Sequence, residues 1–167
     1  MAEMLNLVNE NDEVYDIRSR DDVYAHGLQY VRVVDAFIRN EAGEFWIPTR
    51  TDDKVIAPGG YDTGAAGHVE AGESYEEAFR KEVSEELGWN IDDLEWKQLA
   101  KLGPKDGLAT VSMVYEITTR DEPAANPDDF KAAEWMTLTA LASRIKAGHP
   151  AKSNILPILA NVYDVRT

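Results

Sequence analysis

Glu82, Glu85 and Glu86 stand at spacings i, i+3 and i+4 within a stretch, Gly67 to Trp89, that reads GHVEAGESYEEAFRKEVSEELGW. Residues three and four apart are neighbours on a helix, so the three carboxylates can share one face and hold a hard divalent cation. A magnesium ion held by a few carboxylates keeps positions for water and for phosphate oxygens. The chemistry these residues point to is a metal-assisted phosphate site.

The helix that must position them is legible in the same letters. At about 100° per residue, Tyr75, Phe79, Val83 and Leu87 form an apolar stripe. Relative to Phe79, Glu82 and Glu86 fall at roughly −60° and −20°, inside or beside that stripe, where a solvating glutamate belongs on the far side. Burying two unpaired carboxylates costs several kcal/mol, and a cation is the economical compensation. Glu76 also points near the stripe but lies in the first turn, where the helix dipole favours a negative side chain. Ser74 is the expected N-cap, Glu77 three residues on gives the capping-box spacing, and Gly88 is the expected stop.

An E-x-x-E-E run taken alone reads as a solvated acidic face; the flanking residues change that reading. The segment resembles the signature of the Nudix hydrolases: Gly, five residues, Glu, seven residues, then Arg-Glu-U-x-Glu-Glu-x-Gly-U, with U a bulky apolar residue. The corresponding positions here are Gly67, Glu73, Lys81, Glu82, Val83, Glu85, Glu86, Gly88 and Trp89. Lys81 departs from the signature arginine and cannot make its planar two-pronged contact to a carboxylate; Trp89 is larger than the usual aliphatic residue. Neither departure touches the metal ligands that the resemblance implies.

By that resemblance, Glu82 and Glu86 bind Mg2+ or Mn2+, with Glu85 and the Gly67 carbonyl adding ligands directly or through water. The implied reaction is hydrolysis of a phosphoanhydride in a nucleoside di- or triphosphate or a nucleoside diphosphate derivative, a small-molecule nucleotide substrate. Family members take the general base either from the signature helix, here Glu85, or from a later loop, here Asp128 or Asp129. The implied fold is an α+β architecture, an α/β/α sandwich with a mixed sheet between helices. The N-terminal hairpin and the bridge from Pro58 to Gly67 look most like the branch related to isopentenyl diphosphate isomerase. Against isomerase chemistry, Ala66 stands where that pattern has a cysteine before Gly67-His68, only His26 lies upstream, and Tyr30 falls nearest one histidine ligand. That reaction would lack one of its two proton carriers. A Nudix-fold module that only binds nucleotide is the third reading, and the complete acidic trio argues against it.

Composition sets outer limits. The chain has 167 residues with 44% hydrophobic content, enough for one domain over 1–167 and small for two, with 1–28 as an N-terminal extension packed on the rest. A formal charge of −14 opposes nucleic-acid binding, and the same charge gives a bound cation a second use in neutralising the approach of a phosphate. There is no cysteine, hence neither disulfide nor thiol chemistry. The start MAEMLNLVNENDEV lacks the basic and apolar regions of a secretory signal, and no apolar run approaches the ~20 residues that span a bilayer. A cytoplasmic protein without membrane attachment is the expectation; monomer and homodimer stay equally open.

Around the acidic helix the pattern alternates strands with turns. Strands are expected at Leu5 to Val8, Val14 to Ile17, Tyr30 to Arg39, Phe45 to Arg50, Asp62 to His68, Leu94 to Leu102 and Leu108 to Thr118. In the last of these Val111, Met113, Tyr115 and Ile117 alternate as in a sheet with one buried face. Ser19 to Gly27 is left unassigned, and Asp121 to Asp129 is an acidic, proline-bearing loop. Glu134-Trp135-Met136 leads into a helix from Leu138 to Ala147, and Ser153 to Tyr163 is the last helix, with Pro157 near its first turn. Among supporting residues, Glu73 either joins the metal shell or favours the helix start. Arg50 either contacts a substrate phosphate or is a solvated strand-end residue. Trp46, Trp96, Trp135 and Tyr30 read as core aromatics; if one stacks a nucleobase, it is Tyr30 or Trp46.

Overall fold

The computed structural model describes residues 1–166. The chain opens with a hairpin of β1 (Met4–Val8) and β2 (Val14–Ser19), followed by α1 (Arg20–His26). Next come β3 (Arg32–Arg39), β4 (Phe45–Arg50), β5 (Ala65–His68) and α2 (Tyr75–Leu87). Strands β6 (Glu95–Leu102), β7 (Val111–Thr118) and β8 (Phe130–Met136) precede α3 (Leu138–Lys146) and α4 (Ile155–Val162). The main sheet has the order β6-β7-β3-β4-β8, with β5 also paired to β3. It is mixed: β3 and β7 run parallel over their full length, while the other pairs are antiparallel. No helix among the described residues is long and apolar enough to cross a membrane.

Helices cover both faces, so the sheet is the middle of a sandwich. On one face Val34, Ala36, Ile38, Met113, Tyr115 and Ile117 pack with Phe79, Val83 and Leu87 of α2. On the other, Phe37, Ile47 and Val114 pack with Leu141 of α3 and Ile158 and Leu159 of α4. Phe79 lies flat on Tyr115, ring centroids 4.0 Å apart, which seats the acidic helix on the sheet.

The split between β3 and β4 makes the site possible. Those strands pair only at Arg39 and Phe45 and then diverge. The freed edge of β3, from Val33 to Ala36, is taken by β5, while β4 pairs instead with β8. A cleft opens between the two halves. The hairpin β1–β2 is held onto this body by bridges from Leu5 to Glu70 and from Leu7 to Val31, and by the Ala71 N–H donating to the Met4 carbonyl. Leu5, Leu7, Val23 and Val31 form a small core beneath it.

Several expectations need correction. Strand β8 was expected only as the lead into a helix; its exposed Lys131, Ala132, Ala133 and Glu134 leave no period-two signal. Strand β7 is buried on both faces, not one, because Ser112 and Glu116, though polar, are enclosed and satisfied by Asp35 and Tyr163. Ser19 to Gly27, unassigned from sequence, is α1, with Ser19 capping the Asp22 N–H and Gly27 closing the helix in the left-handed region.

Candidate active site

The acidic helix has the ends that its letters imply. Ser74 accepts from the Glu77 N–H at 3.1 Å while Glu77 accepts from the Ser74 N–H at 2.7 Å, a closed capping box, and Gly88 ends the helix at φ 68°. Phe79, Val83 and Leu87 are fully buried, which fixes the rotation of the helix about its axis. That rotation turns Glu86 inward, 8% exposed, leaves Glu82 half-buried, and puts Glu85 on the outside.

Strand β5 closes over the inward pair. The Glu86 carboxylate accepts from the Ala66 N–H at 3.2 Å. A Cβ on Gly67 would fall inside the carboxyl group of Glu82, so this glycine is required for close approach, its φ lying outside the left-handed region. Burial pushes the Glu82 carboxyl up to about 7, with the charge of Glu85 adding to the effect; a hydrogen bond to Glu86 works the other way. Glu86 is raised well above the usual range, first by burial and then by the negative charges of Asp62 and Glu82. No ion pair of the protein reaches Glu82, Glu85 or Glu86 among the described residues.

Three acidic or imidazole side chains are nowhere drawn into one closed metal cage among the described residues. The expected trio is thus a buried pair, Glu82 and Glu86, with Glu85 at the rim, because a step of about 100° from Glu86 carries Glu85 out of the strand contact. An open donor set of this kind suits a cation that retains water. The two carboxyls turned to one enclosed edge, with no ion pair of the protein among the described residues, are the observation that fits a metal here, since a cation would let both stay charged.

Around the pair lies a cleft of about 570 Å³ lined by Gly67, Glu82, Glu85, Glu86 and Asp129 together with Arg50, Lys54 and Lys152. Arg50 is neither a free strand-end residue nor unattached: it is ion-paired with buried Asp62 and donates to the Ile56 carbonyl at 2.8 Å. Lys152 lies 3.3 Å from the other oxygen of Asp62. Burial pushes Asp62 up, but the positive charges of Lys152 and Arg50 overcome this and hold it below the usual range. Asp35, fully buried beneath, is pushed up by burial and accepts from Ser112 at 2.6 Å and Asn154 at 2.9 Å. Lys54 pairs with Asp129 at 2.7 Å.

Asp129 reaches the cleft because Asn126 docks its loop on the end of α2, its N–H donating to the Glu86 carbonyl at 2.9 Å. Asp128 is exposed and outside the lining. Trp46, offered as a stacking platform, is 1% exposed with its ring edge-on to Phe130; it is a core residue. Tyr30 lies off the acidic cleft, in an adjoining one. Lys81 donates to Glu70 at 3.0 Å and to both oxygens of Glu73, at 2.9 and 3.1 Å, so Glu73 braces the loop before the helix. The lysine reaches two carboxylates singly where arginine would grip one with a fork.

Sequence reasoning missed Asp62, Lys152 and Lys54 as parts of the site; His68, beside Gly67 in sequence, lies in the cleft lining with them. His68 contacts the Tyr24 hydroxyl at 2.7 Å through Nε2 and lies 3.5 Å from Glu3 through Nδ1. Burial first, then the charges of Arg20, Lys152 and Lys81, lower it to about 4. These residues come from separate segments, and nothing in their local spacing joins them.

The NUDIX domain family model matches residues 29–159 of this chain. A Nudix hydrolase of Deinococcus radiodurans is 42% identical over 162 residues, 96% of this chain and 94% of its own length. The crystal structure of DR0079 from Deinococcus radiodurans superposes with a TM-score of 0.91 at 41% identity, covering 96% of this chain and 99% of that one. The chain belongs to the Nudix family and has its fold. The isomerase branch is the fainter likeness: the isopentenyl-diphosphate isomerase of Saccharopolyspora erythraea is 22% identical, covering 87% of this chain and 78% of its own.

Two outcomes test this geometry. Gly67→Ala is expected to swing the Glu82 carboxyl aside and return its titration, followed by carbon NMR, toward that of an exposed glutamate. The melting temperature should move only by about a few degrees, since the obstructing atoms end a flexible side chain. A titration still near 7 would show that the glycine does not set the position.

The second outcome concerns pH. Because the folded pKa of Glu82 is raised from 4.5 to about 7, the folded chain holds protons that the unfolded chain has released. The stability involved is present below 4.5 and is lost as pH rises through about 7. In chelator-treated protein the melting temperature should therefore fall more steeply toward alkaline pH in the wild type than in Glu86→Gln. His68, lowered to about 4, acts oppositely in both proteins and cancels from the difference. Equal slopes would rule out a buried titrating pair.

Proposed function

We propose that this protein is a magnesium- or manganese-dependent hydrolase that cleaves a phosphoanhydride bond in nucleoside di- or triphosphates or nucleoside diphosphate derivatives. The observation that carries the reading is the pair Glu82, half-buried, and Glu86, buried, which make no ion pair among the described residues and open to a cleft that also holds Arg50, Lys54 and Lys152. Membership of the Nudix family and the named hydrolase in Deinococcus radiodurans support it.

Glu82 and Glu86, with Glu85 and the Gly67 carbonyl, would hold the metal. When bound, such an ion neutralises phosphate oxygens and lowers the pKa of water. Arg50 and Lys152, both fixed by Asp62, present positive charge to the phosphates without having to be ordered when substrate arrives. The attacking oxygen comes from water: its bond to phosphorus forms as the anhydride P–O bond breaks, and the departing phosphate carries away the electron pair. Glu85 takes the proton in this reading, because it has no ion pair among the described residues, whereas Asp129 is engaged by Lys54. Isomerase chemistry is not favoured, since position 66, which supplies only a main-chain N–H to Glu86, is an alanine without an acid or base.

Glu86→Gln keeps the size of the side chain and should keep the fold. Phosphate release from a panel of nucleoside di- and triphosphates, nucleotide sugars, dinucleoside polyphosphates and isopentenyl diphosphate is expected only with magnesium or manganese. In the variant it should fall by about 100-fold or more, the scale of removing one group that stabilises transition-state charge. No release from any compound, with metal still bound, would favour a binding module.

A further inference from the structure

A second cleft adjoins the acidic one. Its volume is about 340 Å³, within the range of small-molecule sites, and it shares Ile56, Gly67, His68 and Lys152 with its neighbour, so the two are continuous. It lies between α1 with its following loop and the start of β3, lined by Leu28, Tyr30, Val33 and Ala109. In a chain of net charge −14, Lys152 is the one Lys, Arg, Asp or Glu among its lining residues, and Lys152 sits at the seam.

The polar groups in it have a common character. Gln29, Tyr30, Thr110 and Ser153 line the cleft, and their side chains make no hydrogen bond within the protein among the described residues. In the acidic cleft, by contrast, Arg50, Lys54 and Lys152 are all engaged by carboxylates. A wall that is uncharged apart from Lys152, with the rings of Tyr24 and Tyr30 and several unengaged hydrogen-bonding groups, suits a flat, neutral, polar-edged group and suits a branched hydrocarbon less, since hydrocarbon would leave those groups desolvated and unpaired.

We infer that this cleft is the subsite for the nucleoside half of the substrate, with Tyr30 as its stacking face and Lys152 at the junction where the diphosphate crosses into the acidic cleft. The inference rests on the phosphoanhydride reading above and adds where, and by what, the organic half is recognised. The N-terminal extension then has a role in specificity, because α1 and its loop form one wall.

The test is calorimetric binding, with magnesium present, of a methylene-bridged nucleoside diphosphate, of its prenyl counterpart and of methylenediphosphonate. Wild type is compared with Tyr30→Ala, which removes the stacking face, and with Ala109→Trp, which fills the cleft from an exposed position. The nucleoside compound is expected to bind wild type roughly tenfold more tightly than methylenediphosphonate, the scale of one aromatic stack, and both variants should abolish that difference. A preference that survives both variants, or none in the wild type, places the nucleoside elsewhere and overturns the inference. Tighter binding of the prenyl compound overturns the nucleoside assignment. Failure to bind any diphosphonate overturns the phosphoanhydride reading itself, and this one with it.

Discussion

The contact between the Glu82 carboxyl and the bare backbone of Gly67 is the constraint on which the site depends. It sets how closely α2 can approach β5, and with Phe79 stacked on Tyr115 it leaves the helix one rotation about its axis. Given that rotation, Glu86 has to turn inward beside a strand that offers it one N–H and no cation. Two like charges are thereby withheld from water. Burial raises both carboxyls, with the charge of Glu85 adding at Glu82 and those of Asp62 and Glu82 adding at Glu86; protons at low pH neutralise the pair, and a bound cation would let it stay charged.

Around this unbalanced pair the protein places charges that are balanced. Arg50 on β4, Asp62 before β5 and Lys152 before α4 form an enclosed chain that joins both halves of the split sheet. Removing one member would leave another buried without its partner, which is far more costly than the pair is favourable. The arrangement therefore fixes the positive groups instead of leaving them on flexible stems. In a chain of net charge −14, Asp62 thus holds two cations in fixed positions on the lining of the cleft.

How much of this could be read from the letters depended on whether the information was local. The capping box, the Gly88 stop, the buried stripe and the inward lean of Glu82 and Glu86 all lie within one continuous segment, and all appear in the structure. The requirement for glycine at position 67 was visible as a motif but its cause was not, since the clash involves a residue fifteen positions away. The charged chain through Asp62 and Lys152 was invisible, because it is assembled from segments that only the fold brings together. Strand β8 was missed since it borrows its burial from the two ends, Phe130 and Met136, and its middle is exposed. Trp46 reads from sequence as a core aromatic with stacking as the alternative, and alternation alone does not say which face it takes; the structure makes it core.

The N-terminal hairpin and α1, expected as an extension packed on the domain, contribute to a small core of their own. Their hydrogen bonds tie them to the rest of the chain. Met4 and Leu5 are tied to the loop before α2, and the Val8 N–H donates to the Tyr30 carbonyl at 2.9 Å, just ahead of β3. Glu3 and Arg20 reach the acidic cleft, and Tyr24 reaches His68 next to Gly67. The extension thus touches the signature loop at the residue beside its glycine. The extension is therefore part of the wall of both clefts, and its Tyr24 hydroxyl ends on the strand that lies against Glu82 and Glu86.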